Sequence, residues 1–139
     1  MAEKNGMFKK SDFANNPTAR VPVCLCLDTS GSMRRDSTSD PIGELNAGLK
    51  VFYDVINNNI KTKTAAEICI VTFGGKAQMI EDFATVDDRP DVPELGADGS
   101  TPMGEGVNLA LDLLEERKNM YKDTGVDYFQ PWLVLITDG

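Results

Sequence analysis

VPVCLCLDTSGSM, residues 21–33, joins a nearly continuous apolar run to a polar turn. A run of this kind is typical of a central strand that is covered on both faces, as in a parallel sheet. Four oxygen-bearing side chains follow where that strand is predicted to end, namely Asp28, Thr29, Ser30 and Ser32. Because ligands of open α/β sheets bind outside the carboxyl ends of the strands, this junction is a candidate binding site.

The next segments predict a helix and two strands. Asp40 followed by Pro41 is a typical helix start, and apolar residues at helical spacing then predict an amphipathic helix from about Pro41 to Ile60. The apolar positions of this helix are Leu45, Leu49, Phe52, Ile56 and Ile60. Residues 66–73 and 76–83 predict two strands that a pair of glycines joins as a hairpin, with the second strand at the sheet edge.

The second half of the chain predicts a loop, a helix and a last strand. Residues 84–101 are rich in proline, glycine and aspartate, which predicts the least structured part of the domain. Thr101 and Pro102 repeat the helix-start pattern, and this helix is predicted to end near Met120. Its apolar face is Val107, Ala110, Leu111 and Leu114. Residues 131–139 predict a strand, so the order of elements indicates an α/β domain with a mostly parallel sheet and one antiparallel edge strand.

Composition excludes several classes of function. The chain has 139 residues, enough for one domain, and its net charge of −8 argues against non-specific nucleic-acid binding, which needs a basic surface. It contains no histidine, which excludes a Ser-His-Asp triad and imidazole metal ligands. No apolar run reaches the ~18 residues that a membrane-spanning helix needs. Residues 1–19 form a polar arm with no secretory signal pattern, so we expect a cytoplasmic protein.

The three cysteines, Cys24, Cys26 and Cys69, all lie inside apolar runs. Cys24 and Cys26 are two residues apart in a predicted strand, so they point to the same face and do not pair with each other. A soft-metal site of three thiolates is one interpretation, and buried free thiols in a reducing compartment are the other. The odd count and the missing signal pattern favour buried free thiols.

The predicted strand ends supply the ligands that a hard metal ion prefers. Asp28 and Asp138 each end a buried strand, and Thr101 precedes the second helix. If the strands are parallel, these groups meet at the same sheet edge as Ser30 and Ser32. Carboxylates and hydroxyls form an all-oxygen shell suited to Mg²⁺, with Mn²⁺ or Ca²⁺ as alternatives. Each piece also has a local explanation, since serine and aspartate are common in turns and Thr101 could cap a helix.

This pattern resembles the von Willebrand factor A domain with its metal-ion-dependent adhesion site. That family carries D-x-S-x-S after the first strand, a threonine in a later loop and an aspartate after the fourth strand. The matching residues here are Asp28, Ser30, Ser32, Thr101 and Asp138. The resemblance covers residues 20–139 and implies a Rossmann-like fold with the site at the carboxyl edge of the sheet. It also implies that the serines bind metal directly, the aspartates directly or through water, and Thr101 according to conformation.

The resemblance further implies a binding module, not an enzyme, in which a Glu or Asp of a partner protein completes the metal shell. The segments STPMGEGVNLALDLL and VPVCLCLDTSGSM are most similar to the bacterial TerY or YegL type. That type is associated with tellurite resistance and related stress gene clusters, alongside kinase-like and phosphatase-like partners. Domains of the family continue past the last aspartate, whereas this sequence stops one residue after Asp138. We therefore expect a truncated domain whose last strand is an exposed apolar edge, open to pairing with another chain.

Other interpretations compete with the metal-dependent binding module. The segment DTSGS is similar to the D-T-G-S of aspartic proteases, but that fold is all-β and two helices are predicted here. A magnesium-dependent phosphoryl-transfer enzyme could use Asp28 as nucleophile, although Ser30 stands where haloacid dehalogenase-type enzymes usually have a second aspartate. A scaffold with an unused metal site is the third alternative.

Overall fold

The computed structural model describes residues 19–137, which form a four-stranded sheet flanked by helices. The elements in chain order are β1 (Val21–Asp28), a 3₁₀ helix (Gly31–Met33), α1 (Pro41–Asn57), α2 (Ile60–Ala65), β2 (Ala66–Gly74), β3 (Lys76–Ala84), α3 (Met103–Thr124) and β4 (Trp132–Ile136). The strand order is β3-β2-β1-β4. β1 runs parallel to β2 and β4, and β2 runs antiparallel to β3. The predicted α/β fold with one antiparallel edge strand is confirmed.

β1 is buried on both faces because two hydrophobic clusters sandwich it. Leu25 and Leu27 belong to a cluster that also contains Leu45 and Leu49 of α1. The alternate residues of the strand, Cys24 and Cys26, belong to a second cluster, which contains Ala110 and Leu114 of α3. A strand with apolar contacts on both faces needs a continuous apolar sequence, which explains the composition of this segment.

The first helix begins as predicted and ends earlier. The side chain of Asp40 accepts a hydrogen bond from the backbone N–H of Gly43 at 3.1 Å, which caps α1. The helix stops at Asn57, and Asn59 caps a separate helix, α2, by accepting from the N–H of Thr62. The prediction that Ile60 belongs to the buried face was therefore wrong, since its side chain is 71% exposed. Tyr53, one turn after Leu49, is buried on that face.

The second long helix is longer than predicted and buries a different set of residues. α3 continues past Met120 to Thr124 and ends at Gly125, whose left-handed backbone (φ 73°) favours glycine. Leu111 is 51% exposed, so its predicted place on the buried face was wrong. Ala110 is fully buried, and Leu111 lies about 100° around the helix from it. Leu111 therefore lies outside the buried face. Tyr121 extends the buried face into the last turn.

The long loop after β3 lacks regular structure, as predicted, but it is tied to the core. Val86 and Leu95 are buried in the hydrophobic cluster that also contains Leu45 and Leu49 of α1. The amide side chain of Asn46 in α1 donates to the carbonyl of Leu95 at 2.9 Å and accepts from its N–H at 2.7 Å. This pair of bonds fixes the loop just before the segment that reaches the candidate site.

β4 forms an open edge of the sheet over the described part of the chain. It pairs with β1 on one side, and its apolar side chains Trp132, Leu135 and Ile136 are exposed. The predicted apolar edge strand is confirmed for residues 132–136, while Asp138 lies outside the described residues. No helix within residues 19–137 is long and apolar enough to cross a membrane.

The three cysteines are buried free thiols, as one of the two interpretations predicted. Cys24 and Cys69 are register partners on neighbouring strands, with their sulfur atoms 4.0 Å apart. Within residues 19–137 no three Cys, His, Asp or Glu side chains are grouped so as to hold a metal ion, which argues against a three-thiolate site. Hydrogen bonding to Cys69 and burial raise the pKa of Cys24, and burial raises the pKa of Cys26 from 9.0 to about 11.

We expect the free energy of unfolding to fall as the pH rises from about 9 to 11. The unfolded chain ionises its thiols near pH 9, whereas the folded chain keeps the Cys26 thiol protonated, so alkaline pH favours the unfolded state. Urea unfolding at pH 8 and pH 10.5 measures this loss, and Cys26→Ala should lose less stability over the same interval than the unmodified chain. Equal losses in the two proteins would contradict the contribution assigned to Cys26.

Candidate metal centre

The end of β1 holds Asp28 and Ser30 in a fixed, buried arrangement. Both residues are fully buried. Oδ1 of Asp28 accepts hydrogen bonds from the backbone N–H of Ser30 at 2.9 Å and from its hydroxyl at 2.6 Å. A carboxylate bonded to the backbone two residues later is the expected local geometry of an aspartate that begins a turn. The turn therefore aligns the Ser30 hydroxyl with the Asp28 carboxylate.

Ser32 extends this arrangement toward the solvent. Ser32 lies in the 3₁₀ helix and is exposed. The next residue, Met33, is buried and anchors this helix to the core. The hydroxyl oxygens of Ser30 and Ser32 are 3.1 Å apart. Two oxygen ligands at right angles around Mg²⁺, each about 2.1 Å from the ion, would be separated by about 3 Å. The spacing of the two serine hydroxyls thus fits neighbouring positions of one octahedral shell.

Thr137 is a member of the site that the sequence analysis did not identify. Its hydroxyl donates a hydrogen bond to Oδ2 of Asp28 at 2.6 Å. The parallel register pairs Leu27 of β1 with Ile136 of β4, so Asp28, the last residue of β1, lies beside Thr137, the residue after β4. The signal that could have found Thr137 was its place directly before Asp138 at the end of a strand parallel to β1.

Backbone hydrogen bonds bring the segment before α3 to the same sheet edge. The N–H of Gly31 donates to the carbonyl of Gly99 at 2.8 Å, and the N–H of Asp98 donates to the carbonyl of Thr29 at 2.7 Å. Gly99 has φ of +80°, and a Cβ there would lie 2.6 Å from the backbone of Gly75. A larger residue at Gly99 would push the segment away from the hairpin between β2 and β3. The predicted convergence of this segment with the end of β1 is therefore present in the backbone.

Thr101 lies in this segment and is exposed. It does not cap α3, because the helix begins at Met103, its N-terminal flanking residue is Pro102, and no side-chain hydrogen bond caps it. The backbone carbonyl of the preceding residue, Ser100, accepts a hydrogen bond from the N–H of Gly75 at 2.9 Å. This bond fixes the segment that carries Thr101 at the carboxyl edge of the sheet, and the helix-cap interpretation of its side chain was wrong.

The connector after the 3₁₀ helix uses its polar residues for a local turn. Oδ1 of Asp36 accepts from the backbone N–H groups of Thr38 and Ser39 at 2.7 and 2.8 Å. Hydrogen bonds from these two residues lower the pKa of Asp36. Arg34 forms an ion pair with Asp98 at 2.5 Å, which bridges the connector to the segment before α3. Both side chains are exposed, so this ion pair contributes little stability.

The described donor set is rich in hydroxyls and holds one carboxylate, Asp28. Over residues 19–137 there is no group of three or more Asp, Glu, Cys or His side chains that could hold a metal ion. Any cation at this edge would therefore depend on the serine hydroxyls as well as on Asp28. Asp138, the second predicted carboxylate, directly follows Thr137 and lies outside the described residues.

Neither the known protein families nor the curated proteins contain a match to this chain. Solved structures do share its fold. A variant of the PilB minor pilin from Streptococcus sanguinis is similar with a TM-score of 0.67 and 18% identity, over 88% of this chain and 30% of the pilin chain. The vWF domain of the type V pili tip protein Mfa5 from Porphyromonas gingivalis has a TM-score of 0.61 and 19% identity, over 88% of this chain and 38% of that chain.

This chain thus spans well under two thirds of the length of these structures. The pilus adhesin SpaC from Lactobacillus rhamnosus GG gives a TM-score of 0.53 at 16% identity, over 99% of this chain and 16% of that one. At such identities the likeness concerns the fold alone. Residues 19–137 therefore have a Rossmann-like α/β fold of the kind found in the vWF domain of Mfa5.

Proposed function

We propose that this chain is a protein-interaction module that binds a divalent cation, Mg²⁺ in the first place, at the carboxyl edge of its sheet. Mn²⁺ and Ca²⁺ are alternative cations. Ser30 and Ser32 would bind the ion through their hydroxyls, with Asp28, Thr101 and Asp138 as the remaining ligands, directly or through water. When bound, the cation would supply an open coordination position for a Glu or Asp side chain of a partner protein.

One observation carries this proposal, namely the hydrogen-bonded hydroxyl pair of Ser30 and Ser32, of which Ser30 is also bonded to the buried carboxylate of Asp28. Their oxygens are 3.1 Å apart, and the neighbouring Asp28 is bonded from both sides, by Ser30 and by Thr137. An isolated turn would need only the bonds between Asp28 and Ser30. The additional convergence of β4 and of the segment before α3 supports a built cation site at this position.

An enzymatic role for Asp28 has weaker support. A nucleophilic carboxylate needs an exposed oxygen in line with the phosphorus atom. Asp28 is fully buried, and each of its oxygens already accepts a hydrogen bond. We therefore favour a binding module over a magnesium-dependent phosphoryl-transfer enzyme, and a scaffold with an unused metal site remains the other alternative.

The partner in this proposal is a protein that presents Glu or Asp. The resemblance to the TerY and YegL type extends the proposal to a cytoplasmic bacterial stress or tellurite-resistance system with kinase-like or phosphatase-like partners. Nucleic acid and membranes are not expected as partners, because the net charge of −8 opposes binding to anionic surfaces. Self-association through the exposed strand β4 is a further expectation.

Calorimetric titration with Mg²⁺ tests the proposal. Ser32→Ala should weaken Mg²⁺ binding by at least about tenfold, since even groups outside the ligand shell typically contribute ~10–100-fold in metal affinity. Ser37→Ala is the matched control, because it makes the same change in the exposed connector five residues later. Absence of Mg²⁺, Mn²⁺ and Ca²⁺ binding to the unmodified chain would rule out the proposed cation site.

A further inference from the structure

A polar cavity of about 270 Å³ lies beside the candidate metal centre, between the ends of β1 and β2 and the segment before α3. Five polar residues are part of its lining, namely Thr29, Thr72, Gln78, Glu94 and Asp98. Thr29 stands between Asp28 and Ser30 in the chain, and its carbonyl accepts a hydrogen bond from the N–H of Asp98 at 2.7 Å. The cavity is smaller than the ~300–1,000 Å³ of sites for drug-sized ligands, so it suits a single side chain or a similar fragment.

Two threonine hydroxyls in this cavity have no hydrogen-bond partner among residues 19–137. Thr29 is 8% exposed and Thr72 is 5% exposed, so both residues are more than nine-tenths buried. In the described part of the chain, every fully enclosed polar side-chain atom has a hydrogen-bond partner. Because these two hydroxyls have none there, each must open onto the cavity that its residue lines. A ligand in the cavity would therefore meet two hydroxyls that are free to accept hydrogen bonds from it.

The charges around the cavity favour a cationic ligand. Glu94 lines the cavity, is exposed, and has no ion pair within residues 19–137. Oδ1 of Asp98 accepts hydrogen bonds from Arg34 at 2.5 Å and from the N–H of Gly99 at 2.8 Å, which leaves Oδ2 available. Lys76, at the start of β3, is exposed and does not line the cavity. Two carboxylates therefore stand in the lining against one basic side chain, Arg34, bonded beside it.

We propose that this cavity binds the guanidinium group of an arginine that a partner protein carries near its acidic residue. A guanidinium has five N–H donors in one plane and no acceptor, which matches a lining of carboxylate, hydroxyl and amide oxygens. Arg34 already forms such a bond to Asp98. The acceptors left for the partner's arginine are the Glu94 carboxylate, Oδ2 of Asp98 and the hydroxyls of Thr29 and Thr72. The partner as the source of the arginine rests on the proposed function, whereas the arginine site itself does not.

Nuclear magnetic resonance of the metal-free chain tests the arginine site, with N-acetylarginine amide as the probe. In the presence of EDTA, the probe should shift the amide signals of Thr72, Gln78 and Gly96 in a saturable way. N-acetylcitrulline amide has nearly the same shape but no charge, and it should bind at least about fivefold more weakly because charge-assisted hydrogen bonds are lost. Equal binding of the two probes, or no saturable shift at millimolar concentrations, would overturn the proposal.

Two variants identify the groups that hold the probe. Glu94→Gln keeps the size of the side chain and removes its charge, so it should weaken binding of N-acetylarginine amide by about fivefold or more. Thr72→Val replaces the buried hydroxyl with a methyl group and should also weaken binding. Asp91→Asn is the matched control, since it neutralises an exposed carboxylate of the same loop outside the lining. Equal losses in Glu94→Gln and Asp91→Asn would mean a general charge effect and would contradict an arginine site.

Peptides in which one to five glycines separate a glutamate from an arginine test the partner as the source. At least one of them should bind about tenfold more tightly in Mg²⁺ than in EDTA, because linking two binding groups raises the effective concentration of the second. The arginine probe alone should bind equally in both conditions. If the chain binds Mg²⁺ and no peptide gains affinity, the partner is not the source of the arginine. If the chain binds no divalent cation and the arginine probe still binds, the proposed function fails and the arginine site stands.

Discussion

Replacing Asp28 with asparagine is expected to weaken Mg²⁺ binding by about 100-fold or more while the chain stays folded. Asparagine has the shape of aspartate and keeps an oxygen that can accept from the Ser30 N–H and hydroxyl. Its amide nitrogen would face the Thr137 hydroxyl, which can rotate from donor to acceptor. The variant therefore removes the negative charge and little of the packing, at a cost in stability of about 1 kcal/mol.

Calorimetry with Mg²⁺ and thermal unfolding of the same samples measure the two parts of this expectation. Asp54→Asn is the matched control, since it removes one exposed carboxylate from α1 and should leave metal affinity unchanged. Unchanged Mg²⁺ affinity in Asp28→Asn would show that Asp28 does not contribute to a cation site. Metal-dependent hydrolysis of p-nitrophenyl phosphate by the unmodified chain, lost in Asp28→Asn, would instead favour the phosphoryl-transfer enzyme.

The local part of the site could be predicted from the sequence because it depends on neighbours in the chain. Asp28, Ser30 and Ser32 follow a buried strand, and a turn places such residues together whatever the rest of the fold does. Thr137 could not be found in the same way, because its bond to Asp28 depends on the register of β4 against β1. Register is a property of two strands distant in sequence, and residue spacing within one strand does not determine it.

The helix errors have local causes. Ile60 continues the apolar spacing of α1, but a new helix begins at this residue, and the Asn59 side chain caps it by accepting a hydrogen bond from the N–H of Thr62. In this new helix Ile60 is exposed. Leu111 is apolar and adjacent to the buried face, yet a helix of moderate amphipathicity leaves such positions in solvent. Apolar periodicity identifies that a helix exists more reliably than it identifies the helix ends, which depend on single side-chain bonds.

A buried polar cluster at the other end of the sheet was not evident from the sequence. Glu67 in β2 is 6% exposed, and its carboxylate accepts from Nε and Nη2 of Arg117 at 3.1 and 2.8 Å. The hydroxyl of Tyr121 donates a hydrogen bond to the same oxygen of Glu67. Nε of Arg20 lies 3.8 Å from the other carboxylate oxygen of Glu67. Burial alone would lower the pKa of Arg117, but attraction to Glu67 outweighs it and raises that pKa. Burial and the charge of Glu67 raise the pKa of Tyr121.

Glu67→Ala is therefore expected to lower the free energy of unfolding by about 3–5 kcal/mol, the usual cost of removing one partner from a buried ion pair. Without the carboxylate, the guanidinium of Arg117 and the hydroxyl of Tyr121 lose their acceptor in a site that water reaches poorly. Glu115→Ala is the matched control, because Glu115 is exposed and its ion pair with half-buried Lys118 should contribute less than about 1 kcal/mol. Urea unfolding of both variants measures the difference. Equal, small losses would mean that water or a nearby acceptor compensates Arg117, and that the cluster contributes no more than a surface ion pair.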